Sequence, residues 1–441
     1  MTVEAATFQW RPTNAPVASS RTDDIWFLNP DVGWAVNSNG QIIHTQDGGA
    51  SWVEQHHDAS VYWRCVGFAS PMRGWAGSLT ASKTLIETRN GGHTWTQVAS
   101  LPPLAPPAIC GLCVVNEQVV YASGTNFPNR PPRMMKTTDG GQSWTAWDMR
   151  PWADMLIDCY FTSPTQGWVV GGKTPAGVTP SRSNVKAVVL QTEDGGTTWI
   201  NRLAALQNQL PAGEWGWKIQ FLNERVGFVS LENFSAGAIL KTTDGGQSWI
   251  RLPVNDPQGN TNLEGVGFVD EQHGWVGGWG DVSFERRSSS ETLDGGLTWR
   301  DANEIGKAIN RFRFFGNPVT TGYASGETVY KYSASAPLPL AATAVATSST
   351  SERIFDAFLA ASGPPQLQLT IPPNAKQLTI RIWDRFGDEV RTLLIEPQPT
   401  SGCRTLAWDR ADDQGHPLSC GYYICRVTVD ERSESRVALI L

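Results

Sequence analysis

The sequence predicts an all-β chain: a seven-bladed β-propeller followed by a small second β-domain. Three observations carry this prediction. A short phrase recurs six times, a glycine–aromatic step lies upstream of five of the copies, and the composition changes abruptly after residue 333.

The repeated phrase is HTQDGGASW, ETRNGGHTW, KTTDGGQSW, QTEDGGTTW, KTTDGGQSW and ETLDGGLTW. Its acidic position falls at Asp47, Asn90 (the one variant), Asp139, Asp194, Asp244 and Asp294, with spacings of 43, 49, 55, 50 and 50 residues. A fixed period of this size marks a repeat architecture in which each unit is one supersecondary element. Upstream lie Gly33-Trp34, Gly74-Trp75, Gly167-Trp168, Gly227-Phe228 and Gly274-Trp275, with Tyr121 to Gly124 in their place in the third copy. A further step, Gly322-Tyr323, has no phrase after it.

Each unit reads as four short strands, the content of a propeller blade. The first is apolar and ends at Phe27, Phe68, Val114, Phe161, Phe221, Phe268 or Phe315. The second carries the glycine–aromatic step, the third ends at the Thr before the Asp, and the fourth starts at the Trp after it. The seventh unit, residues 310–333, supplies three strands only. The segment Thr7 to Arg11 resembles a fourth strand, so it is predicted to close the ring and remove the exposed edges.

The phrase has a physical logic. An Asp opening a tight turn accepts bonds from backbone N–H groups further on, the two Gly accept positive φ, and the Trp packs beneath the turn. The six positions are therefore read as turn locks rather than catalysts. These residues resemble the Asp-box (BNR-repeat) propellers. The combination of T-x-D-G-G-x-S-W with G-W-[AV]-[VG]-G is most similar to the photosystem II assembly and stability factor family, over about residues 7 to 333. That resemblance implies a non-enzymatic scaffold that grips a protein segment. The fold also hosts sialidases, xyloglucan hydrolases and sorting receptors, so it does not fix the function.

Residues 334–362 read as a linker, small and Pro-containing. Residues 363–441 read as the second domain, with strand-like alternation at Leu367–Ile371, Leu378–Trp383, Arg404–Trp408 and Tyr422–Val429. The run WDRADDQGHPLSCGYYICRV resembles the immunoglobulin-like domain of flagellar hook-capping proteins and the C-terminal domains used for type IX secretion. The matching positions are Trp408, Asp409, Asp412, Asp413, Gly415, Gly421 and Tyr423, and Arg410 stands where that family has Gly. The resemblance implies a small β-sandwich in an accessory role.

Composition excludes several classes. Net charge is −7, which disfavours a duplex nucleic-acid partner, since such binders carry a basic stripe. No run approaches the ~18 apolar residues of a membrane helix. The start MTVEAATFQWRPT shows no secretion leader, so the location stays open, with the cytoplasm favoured unless a leader has been removed. The seven Cys lack disulfide spacing, and Cys110 and Cys113 sit in an apolar strand on opposite faces, so free thiols are expected. No phosphate loop, dinucleotide fingerprint or metal-ligand cluster is visible, so no cofactor and no metal are expected. A monomer is expected.

A propeller sends its Asp-box turns to one face. The loops between second and third strands, and the blade connections, go to the other. The sequence lengthens that other face at residues 125–133, 173–184, 279–290, 100–107, 203–213 and 253–262, and elaborated loops on a rigid scaffold carry function. Ten of the 20 Trp belong to the repeat; Trp63, Trp152, Trp215, Trp217 and Trp279 do not, and all map to the elaborated face. They are expected to wall a pocket, with Arg64, Lys218, Arg311, Asp158 and Glu264 beside them, and Asp281, Arg286 and Arg287 on nearby loops. The occupant would be a protein segment, a carbohydrate or an aromatic small molecule. The alternative is a pocket enzyme, a glycoside hydrolase or lyase, using Asp158 and Glu264 as its acid and base.

Overall fold

A computed structural model describes residues 8–280, 288–334, 354–359, 365–384, 389–418, 421–430 and 432–440. The propeller is present as predicted, with seven four-stranded antiparallel sheets. The first strands are Thr22–Phe27, Trp63–Phe68, Gly111–Val114, Met155–Phe161, Glu214–Phe221, Thr261–Phe268 and Arg311–Phe315, which define blades 1 to 7. The strand Phe8–Pro12 pairs with Val329–Ala334, Trp10 opposite Tyr332, and completes blade 7. No helix among the described residues is long and apolar enough to cross a membrane.

The repeat residues explain the blade packing. The Phe that ends a first strand stacks on the second-strand aromatic of the preceding blade: Phe68 on Trp34 at 3.5 Å, Phe161 on Tyr121 at 3.6 Å, Phe268 on Phe228 at 3.6 Å, and Phe27 on Tyr323 at 3.7 Å. The same Phe covers the glycine of its own blade. A Cβ at Gly33 would lie 2.3 Å from Phe27, and one at Gly167 would lie 2.2 Å from Phe161. The step must therefore be glycine because a ring lies flat on its backbone. Seven apolar clusters fall between neighbouring blades, and one more joins blades 2 to 5, so the ring is held mainly by a series of interfaces.

The Asp-box turns are alike at all six positions. In the third, Ser143 N–H and Oγ–H donate to Asp139 at 2.9 and 2.6 Å, while Thr137 Oγ donates to the same carboxylate at 2.8 Å and accepts from Gly141 N–H. Asn90 keeps the scheme by accepting from Thr94 N–H and donating to its hydroxyl. The hydrogen bond from Ser143, followed by the others, holds the Asp139 carboxyl down to about 2; Thr198 and Thr298 do the same for Asp194 and Asp294.

The second domain is a sandwich of a three-stranded and a four-stranded sheet. Trp408, Leu367, Ile380 and Val427 lie in its core. One expectation is corrected. Within residues 334–362, which the composition reads as a linker, Phe355–Leu359 is a strand that pairs with Gln366–Ile371, where its backbone groups find a ladder. The domain touches the propeller through Arg426, whose Nη2 donates to the Ser38 carbonyl at 2.8 Å.

Candidate functional site

The first strands converge on the propeller axis, and five of the seven carry a register shift near their first residues. The shifts lie between Thr22 and Asp24, Trp63 and Cys65, Leu156 and Asp158, Gly216 and Ile219, and Leu263 and Gly265. A bulge inserts an extra residue and re-aims side chains locally. Here it brings Asp23, Arg64, Trp217, Lys218 and Glu264 together at the mouth end of the channel.

These charges bind each other across the axis. Arg311 of blade 7 makes a two-pronged contact with Asp158 of blade 4 at 2.8 and 2.7 Å, and its Nε donates to Asp24 at 2.9 Å. Arg21 pairs with Asp23 and Glu264, and Arg64 pairs with Asp23. The rings join the same network. Trp217 Nε1 donates to Asn310 at 3.0 Å and Trp279 Nε1 to Glu264 at 3.1 Å. Arg64 lies 5.0 Å over Trp217 and Arg21 lies 4.7 Å over Trp279, both within cation–π range.

The surroundings set the protonation states. Burial alone would raise the Asp158 carboxyl, but Arg311 and Lys218 beside it hold it below its ordinary value. Burial would lower Arg311, yet Asp158 and Asp24 raise it overall. Lys218 is different: burial, with Arg311 and Arg64 nearby, outweighs Asp158 and Asp24 and lowers its ammonium to about 8. Its Nζ is buried with no hydrogen-bond partner.

All five singled-out Trp lie at the mouth end, but they do not form exposed walls. Trp63, Trp215 and Trp217 are 0% exposed and Trp279 is 2% exposed. Trp152 is half-buried against the core between blades 3 and 4. Trp63 packs between blades 1 and 2 with its Nε1 on the Gly40 carbonyl, and Trp215 and Trp217 share a cluster with Tyr62, Cys110 and Met155. The expectation of an open pocket walled by these rings is therefore corrected: a large indole gains more from being covered than from facing water. The charged residues Arg64, Lys218, Asp158, Glu264 and Arg311 lie together at this end and are equally buried. Sequence reasoning missed Arg21, Asp23 and Asn310, which sit before or at the start of first strands and carry no repeat signal. Asp281, Arg286 and Arg287 lie outside the described residues.

Comparison with known proteins adds to this geometry. A family model described as photosynthesis system II assembly factor YCF48 matches residues 2–146, and one described as FlgD Ig-like domain matches residues 356–433. The propeller resembles the photosystem II assembly factors. The photosystem II assembly lipoprotein Ycf48 of Synechococcus sp. (strain CC9902) is 24% identical over 281 residues, 57% of this chain and 81% of that protein. Among solved structures, YCF48 from Cyanidioschyzon merolae superposes with a TM-score of 0.54 at 16% identity, covering 74% of this chain and 99% of the other. A structure of YCF48 bound to D1 peptide gives 0.52 at 16% identity, covering 75% and 98%. At that identity the structures establish the shared fold. The C-terminal domain is similar to the hook-capping immunoglobulin-like domain.

Proposed function

We propose that the propeller is a non-enzymatic scaffold that holds a protein segment at the mouth end of its channel. The carrying observation is the fate of the carboxylates. Asp158 is bound by both prongs of Arg311, and Glu264 by Arg21 and Trp279. A general acid needs a proton and a general base needs a free lone pair at the substrate; carboxylates locked in charge-assisted pairs offer neither. The glycoside hydrolase or lyase reading of the same pair finds no support in this arrangement. Among the described residues there, Lys218 Nζ is a buried donor without a hydrogen-bond partner, as are Arg64 Nε and Trp215 Nε1; its ammonium is suited to an anionic or carbonyl group on a bound segment. The resemblance to proteins named as assembly factors, one of them solved with a peptide, favours the same reading.

Panning the full chain against a random peptide library tests this. Enriched peptides should lose binding to Lys218→Met and keep most of it on Glu264→Gln. Peptides that bind Lys218→Met as well as the parent would overturn the placement. Hydrolysis of a chromogenic glycoside that vanishes in Asp158→Asn would overturn the scaffold.

A further inference from the structure

The Asp-box face repeats one contact at four blade junctions. A basic side chain crosses from one blade to the carbonyl of the first turn glycine of the next. Arg73 reaches Gly140 at 2.6 Å, Lys136 reaches Gly195 at 2.8 Å, Lys241 reaches Gly295 at 3.1 Å and Lys331 reaches Gly48 at 2.9 Å. Each lies over an aromatic ring of its own blade, Trp75, Tyr121, Phe228 and Tyr323, at 4.5, 5.7, 5.5 and 5.4 Å. For Lys136, Lys241 and Lys331 the cation stands directly opposite its ring in the ladder.

Three junctions show no such contact among the described residues: in blade 4 Gln191 stands opposite Trp168, in blade 6 Glu291 stands opposite Trp275, and the third is the junction of blades 1 and 2. Opposite Trp34 stands His44, stacked on it at 4.5 Å and too short to cross. The waiting carbonyl, Gly91, is served by Gln55 Nε2 at 2.9 Å. At this junction lies a groove of about 940 Å³, with no Lys or Arg among its lining residues. Glu54 and Glu117 contribute its charge, and Val53 and Met72, 63% and 56% exposed, form an apolar rim. His44 also lines it. Its Nδ1 faces the Gln55 amide, which leaves the proton on Nε2, and that buried nitrogen has no partner.

We propose that this groove is a second docking site, on the face opposite the channel mouth, for a partner protein segment that inserts a Lys or Arg side chain. The segment brings a cation to a junction that has none of its own, while Gln55 keeps the Gly91 carbonyl. Its aliphatic stem lies against Val53 and Met72, its charged head meets Glu54 and Glu117, and a backbone carbonyl accepts from His44 Nε2. Opposite charge, a matching apolar rim and an unused donor select this occupant over an acidic or purely apolar one.

The test uses the full chain and two labelled probes, Ac-Lys-Leu-Lys-Leu-Lys-amide and its Glu counterpart, at low and physiological salt. The basic peptide should bind and the acidic one should not. His44→Lys, which restores the internal cation, should weaken the basic peptide about tenfold, as should Glu54→Gln with Glu117→Gln. Glu224→Lys, an exposed acid elsewhere on the same face, should leave binding within about twofold. The thermal midpoint of each variant establishes that it is folded. Equal binding of both probes, no binding, or an equal loss in Glu224→Lys would overturn the proposal, the last by showing general attraction to an acidic protein.

Discussion

The two ends of the same blades are built on opposite principles. At the Asp-box end, each turn satisfies itself within seven residues: Asp194 holds Thr192 and Thr198 with hydrogen bonds of 2.6 to 2.9 Å. At the mouth end, partners are far apart in sequence; Arg311 and Asp158 are separated by 153 residues and Arg21 and Glu264 by 243. One end is periodic and exposed, the other aperiodic and buried. The difference teaches that repetition secures the frame, while individuality is confined to the place where blades meet at the axis.

The sharpest way to break this contrast is Arg311→Met. It leaves Asp158 and Asp24 buried without their cation, and should cost about 3–5 kcal/mol in urea unfolding. A loss below ~1 kcal/mol would mean that water reaches the network and that the two ends differ less than described. The next effect has the opposite sign. Lys218 has its ammonium lowered to about 8 from an ordinary 10.5. Between those values the unfolded chain binds a proton that the native chain does not, so stability should rise with pH through that window and stay flat below it. Lys218→Met should remove the rise and stabilise the protein at pH 7 by roughly 1–3 kcal/mol. An unchanged alkaline profile would contradict a buried, partnerless ammonium.

At the other end, effects should be smaller and local. Asp244→Ala should cost about 1–2 kcal/mol in thermal unfolding, and Asp244→Asn less, since Asn90 already maintains the same turn. If the Asn form were as damaging as the Ala form, charge rather than hydrogen bonding would hold the turn. The Asp139, Asp194 and Asp294 carboxyls are held at about 2, below the ordinary 3.8. Their contribution is present above pH 3.8 and is lost as the pH falls towards 2, so acid melting should set in only in that window. The smallest effect is expected from ending the chain after Ala334. The described interdomain contact is the hydrogen bond from Arg426 to Ser38, and the propeller should melt within a few degrees of the full chain.

The sequence by itself determined the frame. The six phrases and the glycine–aromatic steps located the strands, and the first-strand endings at Phe27, Phe68, Val114, Phe161, Phe221, Phe268 and Phe315 all stand where the strands end. Even the closing strand was visible, because local turn chemistry and period-two alternation are written in neighbouring residues. Asp158, Lys218, Arg64, Glu264 and Arg311 were also legible at the mouth, but their partners Arg21 and Asp23 were not. Tertiary structure alone decided what they do. Whether Trp217 faces a ligand or packs under Arg64, and whether Asp158 is a base or the partner of Arg311, depends on residues more than a hundred positions away. The open groove at His44 is the same lesson on the other face. His44 stands where two of the six phrases carry Lys, but only the neighbouring blade shows the groove that it lines. Local hydrogen bonds can be read from spacing; desolvation and ion pairing across an axis cannot, because both depend on what the fold places around the group.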